Sequence, residues 1–256
     1  MREKAIKPLG RKAYGSIPHL PGSKFGDRRD KGLNAGEARL YVEKCKPGER
    51  VIVTEKLDGS CVAVARINDE IVSLIRAGYP ARSSPWRQHH VFAEWVETNT
   101  DTFMRALLNG DHIAGEWLAQ AHGTRYAVSL TPPLFSPFAA FDLFINGVRA
   151  SYDELISVCY RRGSQIAMVP IIYDEYAAVP ISAMLDRLGK HGFYCAIDSP
   201  EGLVYRRERG GVFVGIAKYV RPEKEPGCYL PEVSGLSEVW NIAQNGDGQK
   251  DGGGRK

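Results

Sequence analysis

A chain of 256 residues, 43% of them hydrophobic and 25% charged, can build one sizeable core, or a large domain with a small appendage. A net charge of +4 permits a polyanionic partner without demanding one. No apolar run is long enough to span a bilayer, and the basic N-terminus lacks the apolar core of a signal peptide. The five cysteines (Cys45, Cys61, Cys159, Cys195, Cys228) are scattered with no C-x-x-C pair. The expectation is a cytoplasmic protein of a reduced compartment, with no membrane partner and no structural zinc.

Residues 1–50, rich in glycine, proline and charge, read as a segment that wraps the domain as loops, with one short helix near 35–45. From 51 the pattern turns to short β-rich runs: VIVTEKL, CVAVARI, a turn at Asn68-Asp69-Glu70, then IVSLIRA. Residues 86–108 read as helix, interrupted near Thr98 to Thr100. HIAGEWLA and FAAFDLFI are the next strands, on either side of the proline-bearing loop SLTPPLFSP. Ser151 and Glu154 form a capping box for a helix reaching about Arg162. A strand follows near IAMVPII, then a helix over 181–190. EGLVYRR and GVFVGIAKYV predict a hairpin around Glu208 to Gly211, and SEVWNIAQ one or two helical turns. The Gly-rich tail 245–256 reads as a disordered end, which leaves 51–244 as the folded domain. Many short strands without regular βαβ alternation predict an α+β fold with largely antiparallel sheet.

Basic residues gather at the N-terminus (Arg2, Lys4, Lys7, Arg11, Lys12, then Arg28, Arg29, Lys31) and around Arg206, Arg207, Arg209, Lys218 and Arg221. The hairpin arginines Arg206, Arg207 and Arg209, with the N-terminal group, are the candidate nucleic-acid surface; a solvated basic face is the plainer alternative.

The segment Glu55-Lys56-Leu57-Asp58-Gly59-Ser60 admits two readings. Asp-Gly between two alternating runs is a hairpin turn signal. Alternatively, Lys56 ends a strand facing a pocket and acts as a covalent nucleophile, a role that requires its pKa to fall through burial or a neighbouring cation. Asp58-Gly59 would then turn the backbone tightly beside a nucleotide.

Lys-x-Asp-Gly resembles the signature of the covalent nucleotidyltransferases: DNA ligases, RNA ligases and mRNA capping enzymes. Further elements follow in that superfamily's order. Arg76, after the next strand, resembles the arginine that contacts the substrate 5′-phosphate in nick-sealing RNA ligases. Gly115-Glu116 resembles the Gly-Glu whose carboxylate binds the ribose, and Phe141-Asp142 the motif whose aromatic packs on the adenine. Glu201-Gly202-Leu203-Val204 resembles the motif whose glutamate works with the metal ion, and Lys218 the lysine that contacts nucleotide phosphates. The resemblance spans about Glu55 to Arg221, and the opening KAYGSIPHLPGSK is similar to the lead-in of bacterial and phage relatives.

Two features depart from the pattern. Val220 stands where a second motif lysine is usual, with Arg221 as a substitute or one contact missing. The stretch after Lys218 is too short for the OB-fold of DNA ligases and capping enzymes, or for the helical domain of larger RNA ligases, which favours a minimal RNA ligase. The resemblance therefore implies a nucleotidyltransferase (ligase adenylation domain) fold, with flanking helices and a nucleotide groove. It implies ATP with Mg²⁺ or Mn²⁺ as cofactors, a lysyl-AMP at Lys56, and RNA 5′-phosphate and 3′-hydroxyl ends as partners. Glu201 is the expected metal ligand; Glu55, Lys56, Asp58, Gly59, Arg76, Glu116, Phe141, Glu201 and Lys218 are the expected nucleotide-binding set. DNA-containing duplexes, and a protein partner in place of the clamp, are further candidates. The alternatives are a capping-type guanylyltransferase or DNA ligase using the same lysine, or a non-catalytic nucleic-acid-binding relative.

Overall fold

The computed structural model describes residues 6–26, 30–131 and 135–243. The expected disordered tail, and Arg2, Lys4, Arg28 and Arg29 of the N-terminal basic group, lie outside these. The first helix, α1 (Ala35–Val42), starts at a reciprocal cap: Asn34 Oδ1 accepts from Glu37 N, and Glu37 Oε2 from Asn34 N. Strand β1 (Glu49–Lys56) is buried along most of its length. Then come β2 (Ser60–Ile67) and β3 (Glu70–Ile75), joined by Asn68 and Asp69 at φ of 50° and 62°. Two successive positive-φ residues are what the right-handed twist of a two-residue hairpin demands, and Asn and Asp tolerate them.

Helices α2 (Arg87–Thr98) and α3 (Thr100–Ala106) follow, broken at Asn99 as the sequence predicts. They lay Phe92, Trp95 and Phe103 against Trp117 of β4 (His112–Trp117) and Phe138 of β5 (Phe138–Ile145). This aromatic cluster is the centre of the larger core. After β6 (Val148–Arg149), the predicted capping box is present: Ser151 Oγ accepts from Glu154 N at the start of α4 (Tyr152–Cys159). Strand β7 (Ile171–Glu175) and helix α5 (Ile181–Leu188) complete a second core with α1. Strands β8 (Gly202–Arg209) and β9 (Val212–Val220) form the predicted hairpin across Gly210-Gly211, both at positive φ.

Two expectations shift. The strand foreseen near IAMVPII begins only at Ile171. Residues 167–169 instead run beside β5, with Ala140 N donating to Ala167 O and Val169 N to Ala140 O. Pro170 lacks an N–H, and the chain changes sheets there, its carbonyl accepting from Glu55 N. The helix foreseen in SEVWNIAQ is a single turn lying earlier, α6 (Pro231–Ser234). Residues 239–241 run extended instead, because Ala121 N and Asn241 N find partners in Val239 O and Ala119 O.

The strands sort into two antiparallel sheets, β7-β1-β8-β9 and β3-β2-β4-β5-β6. Consecutive strands β1 and β2 are therefore not a hairpin. Asp58-Gly59 is the crossing from one sheet to the other, and the groove opens where they part. Among the described residues, no helix is long and apolar enough to cross a membrane.

Candidate active site

A cavity of about 880 Å³ lies between the sheets. Its first wall is a row of paired residues, Thr54 of β1, Val204 of β8 and Lys218 of β9. Lys56 at the end of β1 pairs in register with Gly202, which places Glu201 beside it; the Lys56 ammonium is ion-paired with the Glu201 carboxylate. The opposite wall holds Cys61 of β2, paired in register with Glu116 of β4. Phe141 joins them through a β-bulge: Ala114 faces Asp142 and Gly115 faces Ala140, so Phe141 is the extra residue on β5. The bulge sends Phe141 to the cavity and leaves Asp142 buried between the sheets.

Gly59 makes the crossing feasible. A Cβ there would sit 2.4 Å from Trp117 O, so only glycine passes over the end of β4. Its N–H donates to Glu116 Oε1 at 3.1 Å and fixes that carboxylate. Asp58 does not line the cavity; its Oδ2 accepts from Gly123 N at 2.8 Å and pins the crossing from outside. Arg76, just beyond β3, reaches across to the N-terminal segment, where Nη2 donates to Gly15 O (3.1 Å) and Ser16 Oγ (3.2 Å). That segment carries Tyr14, edge-on to Phe141 at 5.0 Å, and bonds to β9 through Leu20 N to Lys218 O.

Charge sets the site's character. Burial raises the Glu201 carboxyl to about 7 and that of Glu116 to about 8, the nearby Lys56 ammonium pulling each the other way. Burial raises Glu55 to about 7 as well; its Oε2 accepts from Phe193 N at 2.7 Å, while Oε1 is buried without a partner. Lys218 is lowered by burial, with the charge of Lys56 adding to the effect. For Lys56, burial alone would lower the amine, but Glu201, Glu116 and Asp58 outweigh it and hold it above the ordinary lysine value. The depressed amine expected of a nucleophile is thus not the state of this arrangement; carboxylates outnumber cations around it.

Lys56, Arg76, Glu116, Phe141 and Lys218, with Glu55 and Gly59, converge on one cavity, and Glu201 stands behind Lys56. The hairpin arginines do not form a nucleic-acid surface. Arg206 is 3% exposed and paired with Asp142 and Glu208; Arg207 is 5% exposed and paired with Glu49. Only Arg209 is exposed, and it too meets Glu49. Arg221 does not replace the second motif lysine in the cavity: its Nη2 donates to Gly189 O at 2.8 Å. Asp30 and His89 also line the cavity with no sequence signal to mark them; Tyr14 lines it too, inside the opening KAYGSIPHLPGSK, from which no chemistry was readable.

Two antiparallel sheets flanked by helices, with lysines, an arginine and a carboxylate gathered in the groove between them, form a nucleotidyltransferase fold. The RNA ligase family model matches residues 49–220, from the first residue of β1 to the last of β9. The chain belongs to the RNA ligase family. Among solved structures, one of the Naegleria gruberi RNA ligase with ATP and Mn superposes with a TM-score of 0.51 at 16% identity, over 82% of this chain and 60% of that one. Another variant of the same ligase, also with ATP and Mn, gives 0.50 at 19% identity, over 85% and 61%. An archaeal ATP-dependent RNA ligase gives 0.45 at 18% identity, over 73% and 45%. This chain spans about half to three-fifths of the length of the Naegleria ligases. No curated protein sequence matches it.

Proposed function

We propose that the protein is an ATP-dependent RNA ligase that forms lysyl-AMP on Lys56. One observation carries this reading. The lysine of the Lys-x-Asp-Gly motif, the arginine, the two glutamates, the aromatic and the second lysine, scattered from 56 to 218, gather around one cavity.

In the first step Lys56 Nζ, having lost its proton, attacks the α-phosphorus of ATP; a P–N bond forms and the P–O bond to pyrophosphate breaks. AMP then passes to an RNA 5′-phosphate, and a 3′-hydroxyl displaces it as the strand is joined. Such transfers need charge neutralisation and alignment more than covalent assistance. Lys218 and Arg76 supply cations to the phosphates, Arg76 chiefly to the 5′-phosphate; Glu116, held by Gly59 N, meets the ribose. Phe141, braced by Tyr14, packs on the base. The match to the RNA ligase family supports ATP over the GTP of a capping enzyme.

Among the described residues, no three His, Cys, Asp or Glu side chains form a metal cage. A Mg²⁺-type ion fits a sparser set, one or two carboxylates with phosphate and water completing its shell, and Glu201 is the residue to hold it. When bound, the ion supplies positive charge to the transferring phosphoryl group and competes with the Lys56 ammonium for that carboxylate.

The test is incubation with α-labelled ATP and a divalent metal, followed by a denaturing gel. The parent chain becomes labelled and Lys56→Ala does not, while circular dichroism shows both folded. Equal labelling of the variant sinks the assignment.

A further inference from the structure

Lys224, just after β9, is buried, and among the described residues it makes no ion pair. Its ammonium has three protons and places them on three neutral acceptors: Gly123 O at 2.9 Å, Thr124 Oγ1 at 2.8 Å and Ser199 O at 2.8 Å. These acceptors sit on two separate loops. Gly123 is the residue whose N–H holds Asp58 Oδ2, and Ser199 stands two residues before Glu201. The same turn grips Glu201 through its main chain, with Arg221 N donating to Glu201 O at 3.0 Å and Lys224 N to Arg221 O at 3.2 Å. Glu225 O packs so closely on Gly123 that a Cβ there would lie 2.7 Å away.

Burying an ammonium costs free energy that a methionine of similar shape would not incur. What the ammonium adds is direction: three charge-assisted bonds set the separation of two loops. We propose that Lys224 is a positioning residue for the adenylylation step, bracing the Asp58 crossing and the Glu201 loop at the spacing that presents Lys56; this rests on the ligase reading above. Lys224 touches no reacting atom. Its effect passes through the two loops, and misplacement by about 1 Å at such a site can cost on the order of a hundredfold in rate.

The test compares the parent with Lys224→Met, which keeps the volume and removes the donors, and with Thr124→Val, which removes one acceptor of the three. Lys56 labelling is timed at subsaturating and saturating ATP, and amide hydrogen exchange is followed over 121–126 and 197–203. For Lys224→Met the saturating rate falls on the order of ten- to a hundredfold while KM for ATP stays within about threefold. Exchange quickens in those two loops and not in the middle of β1 and β8. Thr124→Val shifts both readouts the same way by less. Labelling by Lys224→Met at the parent rate overturns the proposal, and so does a raised KM with an unchanged saturating rate. If Lys224→Met does not fold, the same rate and KM criteria applied to Thr124→Val decide. If the parent itself is not labelled, the ligase reading fails, and unchanged loop exchange in the variants then overturns the brace independently.

Discussion

Glu55 shows how a buried carboxylate can be fixed by one oxygen while the other is left without a partner. Its carboxylate is oriented, because Oε2 must accept the Phe193 N–H at 2.7 Å, and this leaves Oε1 as the atom without a partner. Gly192, at φ +62°, leaves the room: a Cβ there would lie 2.2 Å from Oε1. In Glu55→Gln the amide oxygen takes over the bond from Phe193, and the NH₂ group falls where Oε1 was. An acceptor becomes a donor, and a carboxyl that burial raises to about 7 becomes a group that cannot ionise. The contrast with Lys56 is instructive, since the two neighbours point to opposite faces of β1. Burial dominates for Glu55, whereas neighbouring carboxylates dominate for Lys56 and reverse its direction.

At the scale of elements, β8 shows what a local pattern reveals and what it hides. The Arg206–Arg207 pair in an alternating run reads as a basic strand end, and the hairpin itself was legible from the Gly-Gly turn and the flanking runs. The fate of the charges was not, because their partners lie far off in the chain: Asp142 on the bulged β5 for Arg206, and Glu49 at the start of β1 for Arg207. The same limit applies to Asp58-Gly59. Its turn chemistry is evident, but only the register of β2 with β4 shows that it crosses between sheets. The Ser151 capping box and the Asn68-Asp69 hairpin were legible because each is settled within four residues. Motif order exposed Lys56, Arg76, Glu116, Phe141 and Lys218 of the cavity wall for a different reason: the family motifs constrain residue type there. His89 has no such constraint and emerged only from the fold. Arg207→Ala takes the buried partner from Glu49 Oε2 and leaves that buried carboxylate with exposed Arg209 alone as an ion-pair partner, so it should destabilise by about 3 kcal/mol. Arg209→Ala, at an exposed partner of the same Glu49, should cost about 1 kcal/mol or less. Denaturant unfolding checks both, and equal losses would contradict the burial assigned to Arg207.

For the molecule as a whole, the groove is a place where stability and chemistry oppose each other. Two sheets that closed on an apolar seam would be more stable than two sheets kept apart by buried carboxyls. The pH dependence of unfolding should record that cost. Glu55 titrates at about 7 in the folded protein, against an ordinary value of 4.5. Between these values the folded state keeps a proton that the unfolded chain has released, so stability falls as pH rises and levels off above about 7. Glu116, raised to about 8, acts in the same direction. The Glu55 share is on the order of 3 kcal/mol across the window, taking about 1.4 kcal/mol per pKa unit. Thermal unfolding without nucleotide, followed from pH 5 to 8, should therefore show a falling melting temperature, at about 2–4 °C for each kcal/mol in a chain of this size. Glu55→Gln cannot ionise, so it should lose its part of that slope and melt above the parent at pH 8 by more than at pH 5. A parent curve that is flat over this range, or a variant curve parallel to it, would mean that the groove carboxyls are solvated and that their burial does not strain the fold.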